Sequence, residues 1–284
     1  MRHSLSRLRW ATVWIAGLAV LLSGCASAPG EHAFRQRLHT ETLATTSADD
    51  VRAEIRFGRD VAARVLGRFP LEKDASLTRY VNLVGTALAA QAGRPELSYH
   101  FAVLDSDTVN AYSAPGGYVF ITRGALAMAQ DEAELAAVLA HEIAHVSERH
   151  IVNALNIRAR DSSGAAGVGK LLGAGSDTTR VAFMQALDQA VQILFETGYS
   201  HRDELEADRV ATLLLLHIGL DPLALRRYLA RLNASDAGAR AVSNTHPPSA
   251  ARMQALDRLI KEEQLAGLAL ASNTQRFERY VKAH

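Results

Sequence analysis

The 284-residue chain is 48% hydrophobic and 21% charged, with 31 basic against 30 acidic side chains. These proportions describe an ordinary globular protein; they exclude a disordered, collagenous or disulfide-stapled one, and a balanced charge supplies no clustered basic face for nucleic acid. The length suits one large domain or two small ones with a substantial core.

Residues 1–24 read as a lipoprotein signal peptide. Arg2, Arg7 and Arg9 precede an uncharged run from Trp10 to Leu22, the basic-then-apolar order of a secretory leader. The run falls short of the roughly 20 apolar residues that cross a bilayer as a helix. It ends in Leu22-Ser23-Gly24-Cys25, which resembles the bacterial lipobox and implies acylation of Cys25 with cleavage just before it. Cys25 is the only cysteine, so an intramolecular disulfide is excluded, and two or three acyl chains suffice to anchor the body to a membrane. Ala26 follows the cysteine, where an aspartate would resemble the inner-membrane retention signal; in a Gram-negative host this favours the outer membrane, facing the periplasm. Residues 25–48 are polar, with Pro29 and Gly30, and read as a flexible tether; residues 49–284 read as a single domain. Its most apolar stretch, Val210 to Leu220, is interrupted by Thr212, His217 and Gly219.

Within that domain, Asp49 or Asp50 caps an amphipathic helix reaching about Arg68, with Val51, Ile55, Val61, Val65 and Leu66 among its apolar positions. A second helix spans Ser76 to Ala92 and stops at Gly93 and Pro95. Leu97 to Leu104 alternates as a strand. Val109 to Ser113 and Tyr118 to Thr122 flank Ala114-Pro115-Gly116-Gly117, where proline presets one dihedral and glycine permits positive φ, so this pair reads as a hairpin. From Gly124 onward the pattern is helical. The fold class is α+β, predominantly helical, with one small antiparallel sheet.

The chemistry concentrates in His141-Glu142-Ile143-Ala144-His145. Asp131 caps this helix, Glu134 stands at its third position, and Leu135, Val138, Leu139, Ile143 and Val146 supply apolar positions. Residues four apart on a helix sit one above the other, so His141 and His145 aim their imidazoles the same way, as two nitrogen ligands of a small divalent cation must. Glu142, one step round, can hold and deprotonate an attacking water. A catalytic zinc wants a third protein ligand. His150 lies about 900° of helix rotation beyond His141, on the opposite side, and reads as a packing or surface histidine. Ser200 to Asp208 is the better source: Glu204 would complete the metal shell, and Asp208, on the same face, would accept the outer N–H of a ligand histidine. Asp203 and Glu206 read as first-turn acids favoured by the helix dipole.

His141 to His150, then Glu204-Leu205-Glu206-Ala207-Asp208, then Thr245-His246-Pro247-Pro248 with Arg252, together resemble the zinc metallopeptidase family M48, which includes the CAAX prenyl protease and the HtpX heat-shock protease. Asn110-Ala111-Tyr112, Pro115-Gly116-Gly117-Tyr118 and Arg123-Gly124 extend the resemblance, which runs from about Asp49 to Leu265. It implies a zincin-like metallopeptidase, with the small sheet beside the helix of the two histidines. It further implies one Zn2+ per chain held by His141, His145 and Glu204, with Glu142 as general base and Asp208 and Arg252 supporting the shell. His246 either stabilises the oxyanion or caps the metal. The resemblance also places the strand after the Pro-Gly-Gly turn, or its hairpin partner, along the cleft, where Asn110, Ala111 and Tyr118 would contact an extended peptide.

No membrane-spanning run follows Cys25, so the likeness is to the periplasmic lipoprotein branch, associated with quality control of envelope proteins. The implied partners are misfolded or unassembled polypeptides and, through the lipid anchor, a membrane. His201 stands where the family would have arginine. A chaperone-like or latent zinc-binding lipoprotein is the alternative. Gly164 to Lys170 fits the start of a phosphate-binding loop, but Leu171 replaces the hydroxyl residue and no buried strand precedes it, so no nucleotide is expected. This glycine-rich segment, residues 161–177, reads instead as a mobile loop, for which a lid over the cleft is one hypothesis.

Overall fold

The computed structural model describes residues 47–157, 177–234, 245–246 and 249–282. Cys25 and the rest of the leader and tether, nearly all of the glycine-rich segment, and Pro247-Pro248 lie outside the described residues. All described residues belong to one unit, Ala44–His284, and no described helix is long and apolar enough to cross a membrane.

Helix α1 (Ala48–Arg68) is capped by Ser47, not by Asp49 or Asp50. The Ser47 hydroxyl accepts from Asp50 N at 3.1 Å, and the Asp50 carboxylate accepts from Ser47 N at 3.3 Å. This reciprocal pair satisfies two open donors, and it moves both aspartates into the first turn, where the helix dipole favours negative charge. The buried stripe is Ala53, Phe57, Val61 and Val65, whereas Leu66 is 42% exposed. Helix α2 (Ala75–Ala89) starts at Asp74, whose carboxylate accepts from Ser76 N and Leu77 N.

Strands β1 (His100–Leu104), β2 (Ala111–Ala114) and β3 (Tyr118–Thr122) form one sheet in the order β1-β3-β2. β2 and β3 make the expected hairpin, with Ala111 opposite Ile121 and Ala114 opposite Tyr118. The sheet as a whole is mixed, which corrects the antiparallel expectation, because β1 runs parallel to β3 with His100 opposite Tyr118. Two chain reversals separate β1 from β3, so the two point the same way. Val119 to Thr122 are all buried, as suits a central strand covered on both faces.

The remaining elements are helical: α3 (Arg123–Met128), α4 (Glu132–Ser147), α5 (His150–Ala154), α6 (Asp177–Gln192) with a π-helical turn at Ile193–Thr197, α7 (His201–His217), α8 (Ala224–Ala234), α9 (Ser249–Glu262) and α10 (Thr274–Phe277). The two-histidine motif lies on α4, every residue of which is buried, walled in by α7, α2, β2 and α8. Asp131 caps it as expected, accepting from Glu134 N at 2.9 Å. Burial of its first-turn acids is offset by pairing. Glu132 meets Arg276 and accepts from Tyr80 Oη at 2.9 Å, and Glu134 meets Arg231 and Arg227.

Two features fix the hairpin beside α4. The fully buried Glu54 of α1 pairs with Arg94 and Arg149, each at 3.1 Å, and accepts from Gly116 N at 3.4 Å; Arg94 in turn donates to Val146 O. Gly58 brings the α1 backbone onto the turn so closely that a Cβ would stand 1.6 Å from Pro115 O. Gly58→Ala is therefore expected to cost about 3 kcal/mol through overpacking, read as a lowered thermal midpoint. Gly67→Ala on the same helix, with nothing within 4 Å of the added methyl, should leave the midpoint unchanged or slightly raised.

Candidate metal centre

Helix α4 sets His141 and His145 one turn apart with their Nε2 atoms 3.1 Å from each other. Helix α7 begins where the Ser200 hydroxyl accepts from Asp203 N, and its first turn delivers Glu204 to the same point. Glu204 Oε2 is 3.4 Å from His141 Nε2, and Oε1 is 3.5 Å from His145 Nε2. His246 Nδ1 lies 2.7 Å from Glu204 Oε1, so one ligand atom from each of the four residues falls within 4.8 Å of the others.

This donor set fits a divalent cation. Ligands at about 2.0–2.1 Å in a tetrahedron are separated by roughly 3.3 Å, close to the spacings among the two imidazoles and the carboxylate. Glu204 Oε2 is buried and, among the described residues, receives no hydrogen bond of good geometry, although Arg252 Nη1 lies 3.2 Å away. An acceptor left in that state calls for a positive charge.

Charge around the set is asymmetric. Burial and Arg252 push His141 down, but its bonds to Asp208 and Glu204 outweigh them and raise it to about 9. Burial dominates at His145, which is driven well below its usual value. Burial would raise Glu204, yet His246 and Arg252 hold it well below the carboxylate range. The side chains alone thus keep Glu204 ionised and His145 neutral, the forms in which both can bind a metal.

Supporting contacts follow from α7 and α9. Asp208 Oδ1 accepts from His141 Nδ1 at 3.0 Å, and Arg252 grips Asp208 with Nε at 2.7 Å and Nη2 at 2.6 Å. Glu142 is buried, and its Oε2 accepts from Ser113 Oγ of β2 at 2.8 Å. His141, Glu142, His246, Arg252, Asn110 and Ala111 all line one cavity of about 50 Å³. Asn110 Nδ2 also reaches Thr245 Oγ1 at 3.4 Å. Tyr118 does not join them; it stacks on His100 beside the turn, with ring centroids 5.2 Å apart. His201 is exposed at the start of α7.

Three residues near the centre escape the sequence reading. Ser113 is one, although its place on the strand before the Pro-Gly-Gly turn is a usable signal. Tyr199 is another: its ring stacks on His145 at 3.7 Å, and its hydroxyl donates to Ser113 O at 3.4 Å. The third is His150, expected on the far side of the helix. It is buried, with Nδ1 only 2.8 Å from His145 Nδ1. The straight-helix projection fails because α4 ends at Ser147 and Arg149 adopts φ 60, which turns the chain back. Asp203 and Glu206 consequently face His150, at 3.9 and 3.6 Å; Asp203 is in the first turn as expected, whereas Glu206 lies beyond it, the other first-turn acid being Glu204.

A model of peptidase family M48 matches residues 75–260. The beta-barrel assembly-enhancing protease of Escherichia coli (strain K12) is 30% identical over 183 residues, covering 63% of this chain and 37% of its own length. The mitochondrial metalloendopeptidase OMA1 of Schizosaccharomyces pombe is 30% identical over 200 residues, covering 66% of this chain and 54% of its own. The metalloprotease LoiP of Escherichia coli (strain K12) is 26% identical over 182 residues, covering 63% of this chain and 67% of its own. The match thus spans little more than a third of the first of these relatives.

Ser113→Ala should leave metal content intact and release the Glu142 carboxylate. The expected result is a thermal midpoint lowered by the equivalent of about 1–2 kcal/mol, in keeping with loss of a buried hydrogen bond to a charged group.

Proposed function

The chain belongs to peptidase family M48, and on that basis we propose that it is a zinc-dependent endopeptidase, a gluzincin, that hydrolyses peptide bonds of misfolded or unassembled cell-envelope proteins. The observation that carries this reading is the convergence of His141, His145 and Glu204 on one point beside the buried Glu142. The names of the relatives, a beta-barrel assembly-enhancing protease among them, support both the reaction and the class of substrate.

His141, His145 and Glu204 would hold one zinc ion per chain. Bound there, zinc supplies Lewis acidity toward water and the scissile carbonyl. Glu142 takes the proton of the attacking water and returns it to the leaving amine, and the Ser113 hydroxyl holds the carboxylate in place for both transfers. Asp208 fixes His141 with its proton on Nδ1, while Arg252 keeps Asp208 ionised inside the protein. Of the two strands considered for the cleft, β3 is central and has no open edge, so the peptide would lie along β2, past Asn110 and Ala111. Residues 1–24 would serve as the signal peptide, and acylated Cys25, through the 25–48 tether, would hold the domain to the outer membrane on its periplasmic side.

A resting state is favoured by His246. Its Nδ1 lies 2.7 Å from Glu204 Oε1, and its ring lines the same cavity as His141 and Glu142. In that state His246 would be a fourth donor to the metal, withdrawn when substrate binds.

Glu142→Gln should retain about one zinc per chain while cleavage of unfolded protein falls by several orders of magnitude; full activity in that variant would remove Glu142 from the reaction. His246→Ala should raise the cleavage rate several-fold. A fall instead would assign His246 to oxyanion stabilisation rather than to capping.

A further inference from the structure

The two histidines of the proposed metal site have unlike partners. His141 Nδ1 faces a carboxylate, Asp208 at 3.0 Å, whereas His145 Nδ1 faces another imidazole, His150 Nδ1 at 2.8 Å. Two facing ring nitrogens form a hydrogen bond only when one carries the proton and the other presents its lone pair. If His150 donated, the remaining proton of a neutral His145 would sit on Nε2, the atom that meets Glu204 and His141, and no lone pair would be left for a metal.

The surroundings decide between the two arrangements. His150 Nε2 is buried without a hydrogen-bond partner among the described residues, and the carboxylates of Glu206 and Asp203 stand 3.6 and 3.9 Å from it. Two acidic groups on that side favour a proton on His150 Nε2, and in the neutral imidazole that leaves His150 Nδ1 as the acceptor. The backbone is arranged to the same end. Arg149 holds a left-handed conformation, φ 60 and ψ 36, unfavourable for a residue with a side chain. Its Nε lies 3.1 Å from Glu54, a pairing that helps offset the strain, and the resulting reversal brings the His150 ring beside His145. Tyr199, stacked on the face of His145 at 3.7 Å and edge-on to His150 at 6.0 Å, keeps the His145 ring from tilting.

We propose that His150 is a positioning residue for the metal, accepting from His145 Nδ1–H so that His145 Nε2 is left free to coordinate, and itself oriented by Glu206 and Asp203 on the helix that delivers Glu204. The site is then held by one imidazole with an anionic partner and one with a neutral partner. This rests on His145 being a metal ligand.

Two substitutions separate the bond from the bulk. His150→Asn keeps an acceptor oxygen where Nδ1 stands; His150→Gln carries it further out, to the place of Nε2. Zinc dissociation constants would be measured on the mature chain in detergent by competition with a chromophoric chelator, beside thermal melting of each metal-free protein. His150→Gln should weaken zinc by about 10- to 100-fold, and His150→Asn by no more than about threefold, with similar melting. Equal losses in both, or a loss in neither, would overturn the proposal. Imidazole 15N spectra of the zinc-loaded wild-type chain test it without any variant. The expected pattern is a proton on Nδ1 of His145 and on Nε2 alone of His150, and a proton on His150 Nδ1 would overturn it. A wild-type chain that takes up no zinc would instead sink the ligand reading beneath it.

Discussion

Glu204 carries its carboxylate at zero exposure, and an isolated ion in that position would cost several kcal/mol even after relaxation. The residues around it answer that cost. Arg252 approaches from α9, two imidazoles from α4 and His246 from the segment before α9. Asp208, one turn further along α7, is held in the same way by Arg252 and His141. Charges drawn together from α4, α7 and α9 are satisfied only when those helices meet in one arrangement, so the candidate metal site and the packing of the helices are a single problem.

Helix α4 can carry this concentration of polar groups because it is enclosed. A helix buried on all sides ordinarily has an apolar sequence, and α4 departs from that pattern at both ends. At its start, Glu132 and Glu134 are matched by arginines from α10 and α8. Toward its end, His141, Glu142 and His145 are matched by Asp208, Ser113 and His150. Apolar layers between and around them, Leu135, Leu139 and Ile143 among the most deeply buried, keep water out and strengthen every electrostatic contact inside.

Local chemistry in the sequence reaches a long way into this arrangement. The four-residue spacing of His141 and His145, the cap at Asp131 and the hairpin around Pro115-Gly116-Gly117 follow from helix and turn geometry that acts over a few residues. Glu204 and Asp208 are legible as a pair on one face for the same reason. His150 was not, since a helix projection assumes the helix continues, and a single left-handed residue at Arg149 redirects the chain. Neither the parallel pairing of β1 with β3 nor the contact of Tyr199 with His145 has a local signature. Both depend on which segments meet after long stretches of chain, and period-two or period-3.6 patterns carry no such information.

Gly198 adopts φ +70 and packs so tightly on Thr245 that a side chain there would stand 2.1 Å from the Thr245 carbonyl oxygen. One residue onward on each side of that contact stand Tyr199, whose hydroxyl occupies a carbonyl on β2, and His246, seated on Glu204. Both side chains lean on the same backbone junction, one at the strand edge and one at the candidate metal centre. A shift of that junction would therefore move both side chains together, so the strand edge and the candidate metal centre are mechanically coupled through one glycine.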